Sequence, residues 1–320
     1  MDGLAGLLDG PRARGAFLLR ILLDAPWAIR LEDEAPLSVT SVVRGHLWVL
    51  DEGEEPVRLE AGDVVVRVGT DRWAIADDPA TPASVVIGPG QVCTTLDGAH
   101  VQEPMSQGVR SWGNSSVGET VLLTGVYLAE GEVTRRLLRA LPRTLVLRAD
   151  ELDTRLLALL ADEVVRDAPG QEAVLDRLLD LLLISLLRTW FERPASDPPA
   201  WYAAQADPVV GPALRLMQHR PEHPWTVASL AETAGVSRAA FARRFTDLVG
   251  EPPMAFLTGW RLALAADLLL EPDATIASVA RQVGYATPFA LSVAFKRERG
   301  ISPRDHRRGG AVPAVGAVGG

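Results

Sequence analysis

The sequence predicts a multidomain α+β protein, with a β-rich N-terminal domain, a helix pair and an all-α C-terminal domain. Short β-prone runs separated by Gly, Asp and Pro extend to about residue 128, and leucine-rich helical patterns follow between residues 151 and 191. A segment near the C-terminus then occurs twice. The chain has 320 residues and 48% hydrophobic content, which is enough for two domains with their own cores.

The β-prone runs predict a sandwich or a barrel, because several short strands alternate with turn signals. The clearest runs are residues 38–50, 55–59, 63–68 and 121–128. Between two of them, Leu59-x-Ala61-Gly62-Asp63 predicts a hairpin or barrel corner.

Two helices are predicted after these strands. Leucine and valine recur at helical spacing in residues 151–167, up to Ala168-Pro169-Gly170, and a second helix is expected over 172–191. The second helix is so rich in leucine that it needs burial on more than one side. It lies either between the β domain and its neighbour helix or in a subunit interface.

A proline-rich, polar segment marks the predicted domain boundary. Residues 193–206 are predicted to be a linker, and residues 208–219 are predicted to be a helix that leads into the repeat. The predicted domains are therefore 1–192 and 207–308, followed by a disordered tail of Gly, Ala, Val and Pro over 309–320.

The charge is distributed unevenly between the two halves. The chain carries a net charge of −9, but residues 207–308 hold 13 Lys and Arg against 10 Asp and Glu. Residues 1–206 hold 19 against 31, so the acidity belongs to the first half and DNA binding is permitted in the second. Cys93 is the only cysteine, which excludes an internal disulfide, and no apolar run reaches the roughly 20 residues of a membrane span. A soluble, cytoplasmic protein is expected.

The repeat predicts two helix-turn-helix units. Ser237, Phe241, Phe245, Gly250 and Pro253 have counterparts fifty positions later at Thr287, Leu291, Phe295, Gly300 and Pro303. Each copy contains a helix, a glycine turn and a second helix with a hydroxyl cap. A connecting helix over 253–271 would be roughly 28 Å long, which approaches the roughly 34 Å between successive major-groove faces. Double-stranded DNA is therefore the predicted partner.

The exposed faces of the two recognition helices carry the predicted DNA contacts. Arg243 is the first choice for reading a base edge, and its counterpart Val293 offers only apolar contact. Lys296 and Arg297 are expected to contact phosphates. The complete predicted set is Ser237, Arg238, Ala239, Ala242, Arg243, Arg244, Thr287, Phe289, Ala290, Val293, Lys296 and Arg297.

These motifs resemble those of the AraC/XylS family of transcription regulators. The resemblance is carried by Gly284-Tyr285-Ala286-Thr287-Pro288-Phe289-Ala290-Leu291-Ser292-Val293-Ala294-Phe295-Lys296-Arg297-Glu298-Arg299-Gly300-Ile301-Ser302-Pro303 and by Leu230-Ala231-Glu232-Thr233-Ala234-Gly235-Val236-Ser237-Arg238. It implies base reading by Ala239, Ala242 and Arg243 in the first unit and by Phe289, Ala290 and Val293 in the second. Val293 stands where the family usually has arginine, and His306 where it usually has tyrosine, a change expected to alter only packing.

The N-terminal half resembles the cupin-like β-barrel that serves as an effector domain in many such regulators. The resemblance implies a small-molecule effector, and the candidate effector-binding residues are Trp27, Arg44, His46, Trp48 and Trp73. Ordinary packing is the competing interpretation for each tryptophan, and Gly45 leaves the facing of Arg44 open. Cys93 is expected to be a small buried residue.

The sequence thus predicts an effector-controlled, homodimeric transcription regulator, with RNA polymerase as a further candidate partner. No catalytic residues, cofactor or metal site are predicted, because only His46 and His100 precede the linker and neither has a neighbouring histidine. Two alternatives remain: a metal-dependent cupin enzyme fused to a DNA-binding domain, and a regulator whose cupin domain only dimerises.

Overall fold

The N-terminal part of the chain folds into two β-sheets with a helix pair. The computed structural model describes residues 17–127, 138, 141–193 and 199–309. Its strands are β1 (Phe17–Leu23), β2 (Ala28–Leu31), β3 (Leu37–Arg44), β4 (His46–Leu50), β5 (Val57–Glu60), β6 (Val64–Val68), β7 (Trp73–Ala76), β8 (Val85–Gly88), β9 (Val92–Thr95), β10 (Ser106–Gly108), β11 (Ser111–Gly113), β12 (Thr120–Tyr127) and β13 (Thr144–Leu147).

The two sheets enclose one hydrophobic core. The seven-stranded sheet has the order β10-β11-β1-β12-β3-β6-β13, and the six-stranded sheet has the order β5-β4-β7-β2-β8-β9. Buried side chains from both sheets, such as Leu122 from the first and Leu47 and Ile75 from the second, belong to the same core cluster. The predicted β-rich, cupin-like class is therefore confirmed.

Residues 38–50 form two strands instead of the single run that the sequence indicated. The chain breaks at Gly45, whose φ of +75° lies in the left-handed region that favours glycine. Strand β3 joins the seven-stranded sheet and β4 joins the six-stranded sheet. The predicted corner at Asp63 is present, and the buried Asp63 carboxylate accepts hydrogen bonds from the backbone N–H of Ala149 (2.9 Å) and Glu60 (3.1 Å).

The helix pair packs on the N-terminal domain. Helix α1 spans Arg155–Glu163 and helix α2 spans Gln171–Glu192, so α1 is shorter than the predicted 151–167. The Tyr127 hydroxyl donates to the carbonyl of Leu179 on α2 (3.0 Å), which joins α2 to strand β12. Burial of α2 within this domain is thus confirmed, while a subunit interface on its other face stays a prediction. No helix among the described residues is long and apolar enough to cross a bilayer.

The described residues of the C-terminal part form helices joined by short loops and turns. The helices are α3 (Ala200–Ala203), α4 (Val210–His219), α5 (Val227–Thr233), α6 (Arg238–Val249), α7 (Pro253–Leu269), α8 (Ile276–Gln282), α9 (Pro288–Arg299) and α10 (Pro303–Gly309). The latter part of the predicted linker is ordered, since α3 and a 3₁₀ turn at Ala204–Ala206 follow one another and Trp201 is buried. Residues 194–198 and, beyond Gly309, the predicted disordered tail lie outside the described residues.

Candidate nucleic-acid interface

The first helix-turn-helix unit comprises α5 and α6. Thr226 caps α5, and its hydroxyl accepts from the backbone N–H of Ser229 (3.0 Å). Ser237 caps α6 by accepting from the N–H of Ala240 (3.3 Å). Such caps satisfy backbone donors that have no partner within the helix, so they define where each helix begins.

Helix α6 has one buried face and one exposed face. Phe241 and Phe245 are fully buried, and Phe245 packs against Phe256 of α7 with ring centroids 5.9 Å apart. Because residues three and four apart share a helix face, Ala239 and Arg243 lie together on the opposite, exposed face, with Ala242 half-buried beside them. The fold therefore presents Arg243 to solvent as the sequence predicted.

The second unit, α8 and α9, repeats this arrangement with different chemistry. Thr287 caps α9 by accepting from the N–H of Ala290 (3.1 Å), and Leu291 and Phe295 are fully buried. On the exposed face Phe289 is 77% and Val293 is 51% exposed. The second recognition helix therefore presents an apolar surface where the first presents a guanidinium.

The caps also show which positions of the two recognition helices are equivalent. Counting from Ser237 and Thr287, the residue equivalent to Ala242 is Ser292, and Ala290 is equivalent to the half-buried Ala240. The Ser292 hydroxyl donates to the carbonyl of Pro288 (2.8 Å). Counting from the family motif gave Ala290 as a base-reading residue, whereas aligning the two caps places Ser292 at the position equivalent to Ala242.

Arg244 is engaged within the protein, unlike its neighbour Arg243. Its guanidinium forms a bidentate ion pair with Asp207, with Nη2 2.6 Å and Nε 3.0 Å from Oδ2. Asp207 Oδ1 also accepts from the backbone N–H groups of Val209 and Val210, both at 2.9 Å, at the start of α4. Arg244 thus connects α6 to α4, a role that sequence reasoning could not separate from DNA contact.

The titration of Asp207 reflects these contacts. Burial acts to raise the pKa of this carboxyl, but the Arg244 guanidinium and the two backbone N–H donors outweigh it and hold the pKa below its usual range. The same pairing raises the pKa of Arg244. For Arg243, the described residues include no ion-pair partner within 4.0 Å.

Lys296 and Arg297 lie on the exposed surface of the last turns of α9, as expected for phosphate contacts. Arg238 is likewise exposed at the first position of α6. His306 packs edge-on against Phe295 with ring centroids 5.4 Å apart, and its Nε2 lies 3.2 Å from the carbonyl oxygen of Ala266. His306 therefore packs within the C-terminal domain.

Comparison with known proteins places this architecture in a family. A family model described as cupin matches residues 2–192, and one described as helix-turn-helix domain matches residues 230–309. An AraC-like transcription regulator from Streptomyces lividans is 33% identical over 319 residues, which cover 98% of this chain and 100% of that protein. Another from Streptomyces antibioticus is 31% identical over 313 residues, covering 96% and 99%.

This chain belongs to the AraC-like transcription regulators. The solved DNA-binding domain of AdpA, in complex with a target DNA, is 34% identical, covers 32% of this chain and 93% of that chain, and has a TM-score of 0.31. The AraC-type helix-turn-helix domain binds double-stranded DNA, and it carries the recognition helices α6 and α9 described above.

In this AraC-like regulator the five candidate effector residues do not come together. Trp27 and Trp73 belong to the buried core between the sheets. His46 and Trp48 lie on the face of β4 opposite the buried Leu47 and Val49, where the Arg58 guanidinium lies 5.9 Å from the ring centroid of Trp48.

The hydrogen bonds of Arg44 go to another part of the N-terminal domain. Its guanidinium donates to the backbone carbonyls of Val117 (2.5 Å) and Gly118, so it closes a loop of the N-terminal domain. Cys93 is buried as expected, and burial raises the pKa of its thiol to about 11. Within the described ranges no three His, Cys, Asp or Glu side chains gather in a metal-binding arrangement.

The N-terminal domain of this AraC-like regulator also carries an open cleft at the start of α2. The cleft has a volume of about 580 Å³ and is lined by Arg110, Gln171, Glu172 and Asp176, among others. Burial, with the nearby carboxylates of Glu172 and Asp180, raises the pKa of Asp176. Sequence reasoning missed this cleft, because its residues come from a β-domain loop and a helix terminus far apart in the chain.

Proposed function

We propose that this regulator reads promoter DNA asymmetrically, with α6 recognising bases through Arg243 and α9 contacting thymine methyl groups through Phe289 and Val293. The observation that carries the proposal is the contrast on the two exposed faces. A guanidinium donates two hydrogen bonds to guanine O6 and N7, whereas apolar side chains favour the C5 methyl of thymine. The first unit therefore discriminates between bases more strictly than the second.

The polar flanks of both helices position the protein on the duplex. Lys296, Arg297 and Arg238 contact phosphates, together with the helix N-termini capped by Ser237 and Thr287. The connecting helix α7 has 17 residues and is therefore about 25 Å long. This length supports placing both recognition helices in successive major grooves of one site.

The N-terminal domain joins two copies of the regulator in this proposal. Helix α2 leaves Val174 45% and Leu181 51% exposed, seven residues apart and therefore on one face. A second copy covers this face. The cytoplasm is the proposed location because promoter DNA lies there, and RNA polymerase is the proposed partner in transcription.

Two roles are candidates for the N-terminal domain, control by a small-molecule effector and dimerisation alone, and one observation favours the second. Trp27 and Trp73, two of the five candidate residues, are packed into the hydrophobic core. A thermal-shift screen of the full-length protein against a metabolite library decides between them, since an effector raises the midpoint and shifts DNA affinity. Stoichiometric iron, manganese or zinc in the purified protein would instead support the metal-dependent enzyme.

Selection of binding sites from random DNA by the full-length protein tests the proposed function. We expect an enriched bipartite site in which one half is strongly constrained and contains guanine, and the other half is rich in thymine. Binding to this site should exceed binding to unrelated DNA on the order of 10³-fold or more. Equal affinity for selected and unrelated DNA would contradict the proposal.

A further inference from the structure

The glycine turns of the two helix-turn-helix units differ in their surroundings. Gly235 and Gly284 both have positive φ, +68° and +80°. A Cβ on Gly235 would meet open space, whereas a Cβ on Gly284 would lie 2.7 Å from the carbonyl oxygen of Pro221 and 2.9 Å from the Cα of Glu222. The turn of the second unit therefore packs directly against the loop that leads into the first unit.

Arg261 in the middle of α7 completes this junction. Its Nε donates to the carbonyl of Pro221 (2.7 Å) and its Nη2 to the carbonyl of His223 (2.7 Å). The same Nη2 lies 2.8 Å from the position of a Cβ on Gly284. The guanidinium thus fills the space between the connecting helix, the loop of the first unit and the turn of the second.

The Arg261 guanidinium contacts protein backbone and contributes to packing between these segments. The side chain is half-buried, and burial lowers its pKa. Among the described residues it forms no ion pair within 4.0 Å, and its hydrogen bonds to Pro221 and His223 both go to backbone carbonyls. The adjacent Trp260 is buried and donates from Nε1 to the carbonyl of Gln218 (3.3 Å). Two consecutive residues of α7 therefore hold the segment that enters the first unit.

We propose that Arg261 and Gly284 form an inter-unit brace that sets the base-pair spacing between the two half-sites this protein accepts. The inference rests on the proposed function, in which both units contact one DNA site. One added base pair moves a half-site by about 3.4 Å and turns it by roughly 35° around the duplex. A braced pair of units cannot follow this displacement, whereas a loosened pair can.

A spacing series on the selected DNA site tests the brace. We expect the wild-type, full-length protein to bind a site lengthened by one base pair on the order of 10- to 100-fold more weakly than the native spacing. In Arg261→Met and Gly284→Ala, the ratio of the affinity for the native spacing to the affinity for the lengthened site should approach one. The ratio for Arg261→Lys should lie between those of these variants and that of the wild type. Gly235→Ala introduces similar backbone strain in open space, so it should keep the wild-type ratio. An unchanged ratio in both Arg261→Met and Gly284→Ala would overturn the proposal.

A distance measurement tests the brace without DNA. Nitroxide labels on Asp247→Cys of α6 and Glu298→Cys of α9 occupy exposed positions, and Cys93 is buried. We expect a narrow distribution of label distances in the otherwise wild-type chain and in Gly235→Ala, and a broad one in Arg261→Met and Gly284→Ala. Arg261→Lys replaces Arg261→Met if the latter does not fold. If the wild type selects no DNA site, the proposed function fails. The distance measurement still tests the brace in that case, because a distribution of label distances as narrow in Arg261→Met and Gly284→Ala as in the wild type would refute it.

Discussion

The carboxylate of Asp207 should stabilise the start of helix α4 by a measurable amount. Asp207→Ala removes two backbone hydrogen bonds of 2.9 Å and the bidentate pair with Arg244. A lost capping side chain costs about 1 kcal/mol. The ion pair adds between about 0.2 and 1 kcal/mol, because Arg244 is half exposed and solvent screens the interaction. The expected local destabilisation is therefore about 1 to 2 kcal/mol.

Hydrogen–deuterium exchange of the full-length protein measures this effect at α4. A loss of about 1 to 2 kcal/mol corresponds to exchange that is roughly 5- to 30-fold faster in Asp207→Ala. Asp207→Asn keeps an oxygen that accepts from the backbone, so its exchange should accelerate much less. Asp247→Ala is the matched control, because it removes a carboxylate from an exposed position of α6. Equal protection of α4 in Asp207→Ala and Asp247→Ala would refute the reasoning.

The pH dependence of this stabilisation follows from the lowered pKa of Asp207. A carboxyl whose pKa is lower in the folded state contributes its full stabilisation above the unfolded value of about 3.9, and loses it as the pH falls through the folded value. The protection difference between wild type and Asp207→Ala should be constant from neutral pH down to about pH 5 and shrink below about pH 4. A difference that grows on acidification would contradict the assignment.

Three further outcomes follow from the proposed interface. Replacing thymine by uracil in the half-site bound by α9 should cost about 0.8 kcal/mol per contacted methyl in a binding titration, and a Phe289→Ala, Val293→Ala variant should be indifferent to the change. Equal losses in both proteins would argue against methyl contact. Leu181→Glu should convert the dimer to a monomer in analytical ultracentrifugation, whereas Val117→Glu at a 67% exposed loop position should not; a dimer that persists would exclude the α2 face. Lys296→Ala should weaken binding to all sequences alike and reduce the salt slope by about 1, and a loss confined to the cognate site would point to base reading instead.

The repeat allowed most of the C-terminal domain to be predicted, because each feature it used is local. A cap at Ser237 or Thr287 and the aromatic pair Phe241 and Phe245 act within one or two helical turns. The sequence could not predict that Arg244 forms an ion pair while Arg243 stays exposed, because the partner Asp207 lies 37 residues away from Arg244. Two adjacent arginines look alike until the fold pairs one of them.

The N-terminal domain was predictable in class but not in its candidate pocket. Alternating apolar residues indicated strands, yet the exchange of the chain between sheets at Gly45 decides which residues face the core. Trp48 accordingly lies on the face of β4 opposite the buried Leu47 and Val49, while Trp27 and Trp73 come from other parts of the chain and are buried in the core. The difference between Gly235 and Gly284 likewise depends on long-range packing at Pro221.

Base reading by Arg243 is tested most directly by one comparison of two arginine variants. Affinities of wild type, Arg243→Ala and Arg244→Ala are measured on the selected site and on its complete set of single base-pair substitutions. Arg243→Ala should cost about 1 to 3 kcal/mol on the selected site and remove the preference at one base pair, while Arg244→Ala, which removes the same charge, keeps that preference. Equal loss on every sequence for Arg243→Ala, or the same relaxation in Arg244→Ala, would contradict base reading by Arg243.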